Sequence, residues 1–82
     1  MALIKVFPNP AHNVCNVQME LNKAQHIELR MFNNIGQQVW IKAVSDFKQG
    51  TETIDVSRLS AGVYIVQVNV NGGMQTVKFV KE

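Results

Sequence analysis

The chain has 82 residues, a net charge of +2 and a hydrophobic fraction of 46%, so it is long enough for one domain with a thin core. Its eight Lys and Arg residues are scattered along the sequence, which argues against a nucleic-acid surface. A single cysteine excludes an internal disulfide. The sequence shows no signal-peptide pattern and no stretch of the ~20 apolar residues that a membrane-spanning helix requires.

Alternation of apolar and polar residues predicts short β-strands along the whole chain and no helix. Leu3–Phe7 is the first strand, and the Pro8-Asn9-Pro10 corner ends it because proline lacks an N–H group and fixes φ. The segment 22–25 is polar and turn-like, and 45–50 is predicted to be the longest loop. In chain order, the predicted strands cover residues 3–7, 14–21, 26–31, 39–41, 51–56, 63–70 and 74–81.

The stretch 59–70 is predicted to be the centre of the fold. Tyr64 and Val66 begin an alternating apolar face, and Ile65 adds an apolar group to the other face, which is typical of a strand with neighbours on both sides. Gly62 just before this strand indicates a backbone conformation that a Cβ atom would strain. The glycine and the tyrosine together resemble a tyrosine corner, in which the hydroxyl bonds to the backbone a few residues upstream.

Two hairpin connections are predicted at 32–37 and 71–73, because both segments contain Asn and Gly, which tolerate left-handed φ. In the strand after the first turn, Val39 and Ile41 are predicted to face inward, and alternation then turns Trp40 outward. Trp40 is either a cover for the outer face of the sheet or an exposed contact residue, and the sequence leaves both interpretations open.

About seven short strands with turns at intervals of roughly ten residues indicate an all-β protein. The pattern favours an immunoglobulin-like antiparallel β-sandwich, and a small barrel is the alternative. In either architecture the core comes from the alternating apolar positions of the strands.

The sequence contains no catalytic or metal-binding constellation at the spacing that such chemistry requires. His12 and His26 lack cysteine or carboxylate partners at ligand spacing, and the scattered acids show no Asp-x-Asp-x-Asp pattern. Cys15 lies in an alternating apolar set, which favours a buried thiol over a reactive one. The sequence therefore predicts that the protein is not an enzyme and that it uses no cofactor and no metal.

Four motifs occur in order along the chain. They are Val6–Ala11, which contains Pro-Asn-Pro; Phe32–Val39, an aromatic residue and a turn before Gly-Gln-x-Val; Ile54–Tyr64, which ends Leu-Ser-Ala-Gly-Val-Tyr; and Lys78–Lys81, two lysines around two apolar residues. In this combination the chain resembles the type A C-terminal sorting domain of proteins that Bacteroidetes export through the type IX secretion system, also called the Por secretion system. The opening motif of that family is Tyr-Pro-Asn-Pro-Ala, so Phe7 replaces the commoner tyrosine.

The resemblance implies that the domain is a C-terminal sorting signal. Such a domain directs its cargo protein from the periplasm to the outer-membrane translocon, and the cargo ends at the outer membrane, at the cell surface or outside the cell. A sortase-like cysteine protease of the system typically removes the domain, and the cargo is often attached to surface lipopolysaccharide. The implied partners are the type IX translocon, that protease and a covalently linked upstream cargo domain, without nucleic acid.

The resemblance also singles out eight residues as recognition candidates. They lie in the four motifs, and they are Pro8, Asn9, Pro10, Gly36, Gly62, Tyr64, Lys78 and Lys81. The prolines, the glycines and the tyrosine have a structural explanation as well, since the corner and the turns need them. The two lysines lie on a predicted edge strand, where lysines block unwanted pairing or meet a receptor that adds a strand.

The organisation of the natural protein is inferred in outline. Residues 1–2 look like an expression start, and 3–82 look like a single domain cut from a larger secreted protein. The sequence leaves open whether this domain is a monomer or a dimer paired through its edge strands. An alternative function is a carbohydrate-binding or adhesion module on a secreted enzyme, with Trp40, Phe47 and Tyr64 as the sugar platform.

Overall fold

Five antiparallel strands form one sheet in the computed structural model, which describes residues 3–82. The strands are β1 (Leu3–Phe7), β2 (Val14–Asn33), β3 (Gln38–Asp55), β4 (Gly62–Val70) and β5 (Gly73–Lys81). The order in the sheet is β1-β2-β4-β5, and β3 pairs with β2. The predicted all-β, antiparallel class is confirmed, and none of the described residues forms a helix able to cross a membrane. The predicted expression start at residues 1–2 lies outside the described residues.

The two long strands fold back on themselves. β2 has 20 residues and would measure about 66 Å if it were straight, whereas the longest dimension of the molecule is 35 Å. The ladder between β2 and β3 is irregular between Glu20 and Ile27, and Asp46 in β3 has a left-handed φ of 54°. The two strands therefore bend side by side, β2 at 21–26 and β3 at 45–48.

The bends divide the sheet into two halves. The first half contains β1, residues 14–20 of β2 and residues 49–55 of β3. The second half contains residues 38–47 of β3, residues 25–33 of β2, β4 and β5. Buried residues of both halves pack into one core, so each half keeps an inward face and an outer face.

The structure has five strands where the sequence predicts about seven. The predicted strands 14–21 and 26–31 are both parts of β2, and the predicted strands 39–41 and 51–56 both belong to β3. The predicted turn and loop between them are the two bends, where β2 and β3 remain strand, although the ladder between them has no pairs at residues 21–24 of β2. The sheet is consequently continuous, and its two halves take the place of the two separate sheets of the predicted sandwich.

The core consists of alternating apolar residues, as the sequence predicts. β4 lies between β2 and β5, which confirms the central position predicted for the 59–70 stretch. The largest fully buried side chains come from both halves, and they include Phe79, Met19, Ile27, Leu29, Met31, Val17, Val56 and Val66. Complete burial of a side chain of this kind stabilises the fold by about 1.5–3 kcal/mol, so these residues hold the two halves together.

The predicted facing of the strand after the first hairpin is wrong. Trp40 packs against the core, whereas Val39 is 37% exposed and Ile41 is 50% exposed. The cause is an irregularity in the ladder at Val39, which leaves Trp40 opposite the buried Met31. One extra residue in a strand reverses the facing of its neighbours, and three consecutive apolar residues give no sign of where the reversal falls.

The edge strands β1 and β5 approach each other at one end of the molecule. Ala11, in the segment after β1, forms a parallel bridge with the last residue of β5. We call this the closed end, and the connections 34–37 and 56–61 lie there as well. At the opposite, open end, a cleft of about 530 Å³ lies between β1 and β5, with Ile4 on one side and Met74 on the other.

Candidate functional site

The Pro-Asn-Pro corner is hydrogen-bonded to the C-terminal strand at the closed end. Asn9 Oδ1 accepts a hydrogen bond from the Val80 N–H at 2.9 Å. The Ala11 N–H donates to the Val80 carbonyl at 2.7 Å, and the Glu82 N–H donates to the Ala11 carbonyl at 2.9 Å. Both proline peptide bonds of the corner are cis. The three hydrogen bonds satisfy backbone groups on the free edge of β5 and hold the corner against it.

The glycine-tyrosine turn before β4 lies at the same end. The Tyr64 hydroxyl donates a hydrogen bond to the Ser60 carbonyl at 2.6 Å, which confirms the tyrosine corner predicted from the sequence. The tyrosine is 5% exposed, and its ring stacks on Phe79 with the ring centroids 5.6 Å apart. Gly62 has a φ of 155°, a conformation that residues with a Cβ atom disfavour. The turn is thus held by its own backbone and by β5.

Asn33 organises the turn that contains Gly36. Its Oδ1 accepts hydrogen bonds from the N–H groups of Ile35 at 3.1 Å and Gln37 at 2.9 Å. Its Nδ2 donates to Gln37 Oε1 at 2.9 Å. Gly36 has a φ of 84° and donates its N–H to the Asn33 carbonyl at 3.0 Å. The left-handed glycine predicted for this turn is confirmed.

A third turn at the closed end follows β3. Asp55 Oδ1 accepts hydrogen bonds from the Ser57 hydroxyl at 2.6 Å and from the Ser57 N–H at 2.9 Å. These two bonds, the hydroxyl one first, hold the pKa of the Asp55 carboxyl below its usual value. The Val56 N–H donates to the Asn13 carbonyl at 2.9 Å, so the turn is tied to the segment that follows the Pro-Asn-Pro corner.

The structure brings the eight recognition candidates to the closed end or next to it. Asn33 pairs with Tyr64, which places the Gly36 turn beside the glycine-tyrosine turn. Gly62 pairs with Lys81, the residue that forms the bridge to the segment after the corner. Motifs that are far apart in the sequence therefore form one continuous end of the molecule.

The two lysines of the terminal motif have different surroundings. Lys81 is 8% exposed, and its ammonium group donates to the Glu82 carbonyl at 2.8 Å. Lys78 is exposed and lies beside Ile65 in the register of β4 and β5. A partner can thus reach the ammonium of Lys78 directly, whereas Lys81 contributes mainly to the packing of the chain terminus.

The thiol, the metal-ligand candidates and the aromatic rings of the sequence can each be located in the structure. Burial raises the pKa of the Cys15 thiol to about 11, so the thiolate is scarce at neutral pH. Among residues 3–82, no group of three or more potential ligands is placed to hold a metal ion. Trp40 and Phe47 pack against the core, and Tyr64 is buried. The three rings therefore do not form the exposed platform that the alternative carbohydrate-binding function needs.

The closed end is built from segments that contain the four motifs of the sequence. A family model described as the secretion system C-terminal sorting domain matches residues 5–82. The chain belongs to this family. As a type IX secretion sorting signal, the sorting domain directs export across the outer membrane to the cell surface or the extracellular space. No curated protein matches the chain. The matched region includes all four motifs of the sequence.

Three residues that hold the closed end of the sorting domain were not among the recognition candidates. Ala11 and Val80 act through backbone groups, and the pattern of side chains carries no signal for such contacts. Asn33 acts through its side chain. Its position in a turn three residues before Gly36 is the available signal, because asparagine often bonds to the backbone two residues ahead.

Proposed function

We propose that the sorting domain carries an upstream cargo protein from the periplasm to the type IX translocon. A sortase-like cysteine protease of that system then cuts the domain off and leaves the cargo attached to the cell surface. In this function the domain is a recognition module and a protease substrate, and it is not a catalyst.

The match to the family over residues 5–82 carries the proposal. The geometry supports a signal that is read as a folded domain rather than as a linear peptide. Asn9 reaches Val80 across 71 residues of sequence, and Tyr64 stacks on Phe79, so these motif residues are arranged only after the sheet has formed. Recognition of the folded state fits a signal whose motifs are spread along the whole chain.

A fusion protein tests the sorting function. Residues 3–82 are placed after a reporter that carries a secretory signal peptide, and the fusion is expressed in a host with the type IX system. The expected result is reporter at the cell surface, measured by surface proteolysis and by fractionation. The same host without its translocon is the control, and there the reporter should stay in the periplasm.

The fate of the domain tests the cleavage step. Mass spectrometry of the surface reporter should show that residues 3–82 have been removed, and a host with an inactivated sortase-like protease should keep them attached. Intact, folded fusion that stays in the periplasm of the host with the complete system contradicts the sorting function. Surface reporter that still carries the domain in that host contradicts the cleavage step alone.

A further inference from the structure

The outer face of the second half of the sheet carries a cluster of apolar side chains. Phe32 pairs with Ile65 across β2 and β4, and Val63 pairs with Val80 across β4 and β5. Because side chains two residues apart share a face, these four lie together on the outer side, with Ile41 of β3 diagonal to Phe32. We call this set of five residues the apolar outer patch.

The exposure of the apolar outer patch is high for residues of this type. Ile41 is 50% exposed, Val63 is 42% exposed and Val80 is 40% exposed, while Phe32 and Ile65 are half-buried. The core is already supplied by the inward faces of both halves. A contiguous apolar group differs from the singly scattered apolar side chains that are normal on a protein surface, and the main apolar patch of a monomer is often functional.

The first half of the sheet has a different outer face. Its centre is polar, with Lys5, Gln18 and Thr51 in one row and a hydrogen bond of 2.8 Å from the Thr53 hydroxyl to Asn16 Oδ1 in the next. Exposed apolar residues are found at its margins, and they are Leu3, Phe7 and Val14. Both outer faces point away from the core, so the packing of the core does not explain why one of them is apolar at its centre.

The charges beside the apolar outer patch are unbalanced. Arg30 lies next to Ile41 in the ladder, and its guanidinium is paired with Glu28 at 3.2 Å. Lys78 lies next to Ile65 and is exposed. Within residues 3–82, the ion pairs found do not include Lys78. The patch thus combines an apolar centre with one cation that has no carboxylate of its own.

The size of the patch argues against a second copy of the domain as its stable occupant. It spans four strands and three rows of side chains, which corresponds to an area on the order of 200–300 Å². A stable dimer buries roughly 800 Å² on each partner. A second copy would also bring no unpaired carboxylate from its own patch to meet Lys78, because Glu28 is already paired with Arg30.

The charge argues against a lipid surface. Recognition of anionic lipids requires clusters of roughly four to eight Lys and Arg residues. The apolar outer patch is flanked by Lys78 and by Arg30, and the arginine is neutralised by its ion pair. The single net positive charge, that of Lys78, matches one carboxylate side chain on a partner protein.

We propose that the apolar outer patch and Lys78 form a transient docking surface for a protein of the export machinery. The partner presents an apolar ridge to Phe32, Val63 and Ile65 and places a carboxylate against the Lys78 ammonium. The small contact area gives weak, reversible binding, which suits a signal that is released after transport. This inference rests on the sorting function proposed above and locates its recognition surface.

The test changes two apolar side chains of the patch and, in the control, two exposed apolar side chains of the other outer face. In the reporter fusion, V63T with V80T weakens the apolar outer patch, and threonine keeps the β-branched shape that strands favour. The matched control is L3T with V14T, which removes apolar side chains from the margins of the other outer face. A second pair compares K78E with K5E, since both lysines are exposed on outer faces.

We expect V63T/V80T and K78E to lower surface reporter about tenfold, as loss of contacts at the centre of an interface does. The controls L3T/V14T and K5E should change it by less than about twofold. Unfolding of each purified domain, followed by circular dichroism, shows which variants are folded. K78E alters an exposed side chain and should leave the domain folded. It therefore still tests the docking surface if V63T/V80T unfolds.

Export of V63T/V80T and K78E at the level of their controls overturns the docking surface. An unmodified fusion that is not exported overturns the sorting function instead. Sedimentation that shows a dimer of the unmodified domain, lost in V63T/V80T, assigns the patch to a second copy and overturns the proposed partner. Binding to anionic phospholipid vesicles that is lost in K78E overturns it in favour of a lipid surface.

Discussion

The two ends of the sheet differ in how the edge strands meet. At the closed end, three hydrogen bonds join Asn9, Ala11 and Glu82 to their partners across the gap between β1 and β5, and Tyr64 and Phe79 stack beneath them. At the open end, Ile4 and Met74 lie on opposite sides of a cleft. The edges of the sheet are therefore hydrogen-bonded to each other at the closed end and separated by a cleft at the open end.

The difference shows what the motifs of a sorting domain do in this fold. Three connections of the chain and its C-terminal residues come together at the closed end, and the recognition candidates lie there or close by. The open end has the two bends and the tight turn after β4, where Asn71 and Gly72 both have positive φ. The motif residues thus hold the closed end together, and the exposed Lys78 lies next to it.

The largest difference between the two ends is expected on β5. Phe79 is 1% exposed and Met74 is 60% exposed. F79A removes a buried ring and its stacking on Tyr64, and it should lower the free energy of unfolding by about 3–5 kcal/mol. M74A should change it by less than about 0.5 kcal/mol. Urea unfolding of both variants measures this, and equal losses would show that the two ends are equally important for stability.

Two glycines with positive φ give the next comparison. Gly62 at the closed end has a φ of 155°, and Gly72 at the open end has a φ of 82°. A Cβ atom would meet nothing within 4 Å at either position, so the cost of alanine is conformational. G62A should cost about 1–3 kcal/mol, because its φ lies outside the left-handed helical region, and G72A about 1 kcal/mol. A melting temperature that G62A leaves unchanged would contradict a strained turn.

The tyrosine corner is expected to have a moderate effect. Y64F keeps the ring and removes the hydroxyl that donates to the Ser60 carbonyl, so it should cost about 0.5–1.5 kcal/mol. The control is T53V, which removes an exposed hydroxyl bonded to Asn16 and should cost less than about 0.5 kcal/mol. Denaturant titration measures the loss of unfolding free energy in both variants. A larger loss in T53V than in Y64F would show that the tyrosine corner does not stabilise the closed end.

The smallest effect is expected at the Pro-Asn-Pro corner. N9A removes the acceptor for the Val80 N–H. Because this contact is exposed, the variant should cost about 0.5–1 kcal/mol. N22A changes an exposed residue of the β2 bend and should cost less than about 0.5 kcal/mol. Hydrogen exchange of the Val80 amide gives a direct measurement, since N9A should accelerate it while N22A leaves it unchanged.

The turns and the central strand were predictable because local chemistry determines them. Gly36 and Gly62 adopt positive φ, and Tyr64 bonds four residues upstream, as their residue types and spacing indicate. The continuity of β2 was not predictable. The polar segment 22–25 has the composition of a turn, yet it is extended, and the stretches of β2 on both sides of it pair with β3.

By itself, the sequence determined the all-β class, the alternating core and the membership of the sorting-domain family. Periodicity and the order of the motifs can both be read along the chain without knowledge of which strands pair. The tertiary structure decided which edges meet and which side chains face outward. The pairing of Asn9 with Val80 spans 71 residues, and no local pattern encodes such a contact. The facing of Trp40 depends on one irregularity in a ladder, because an apolar run fits either face until its partner strand sets the register.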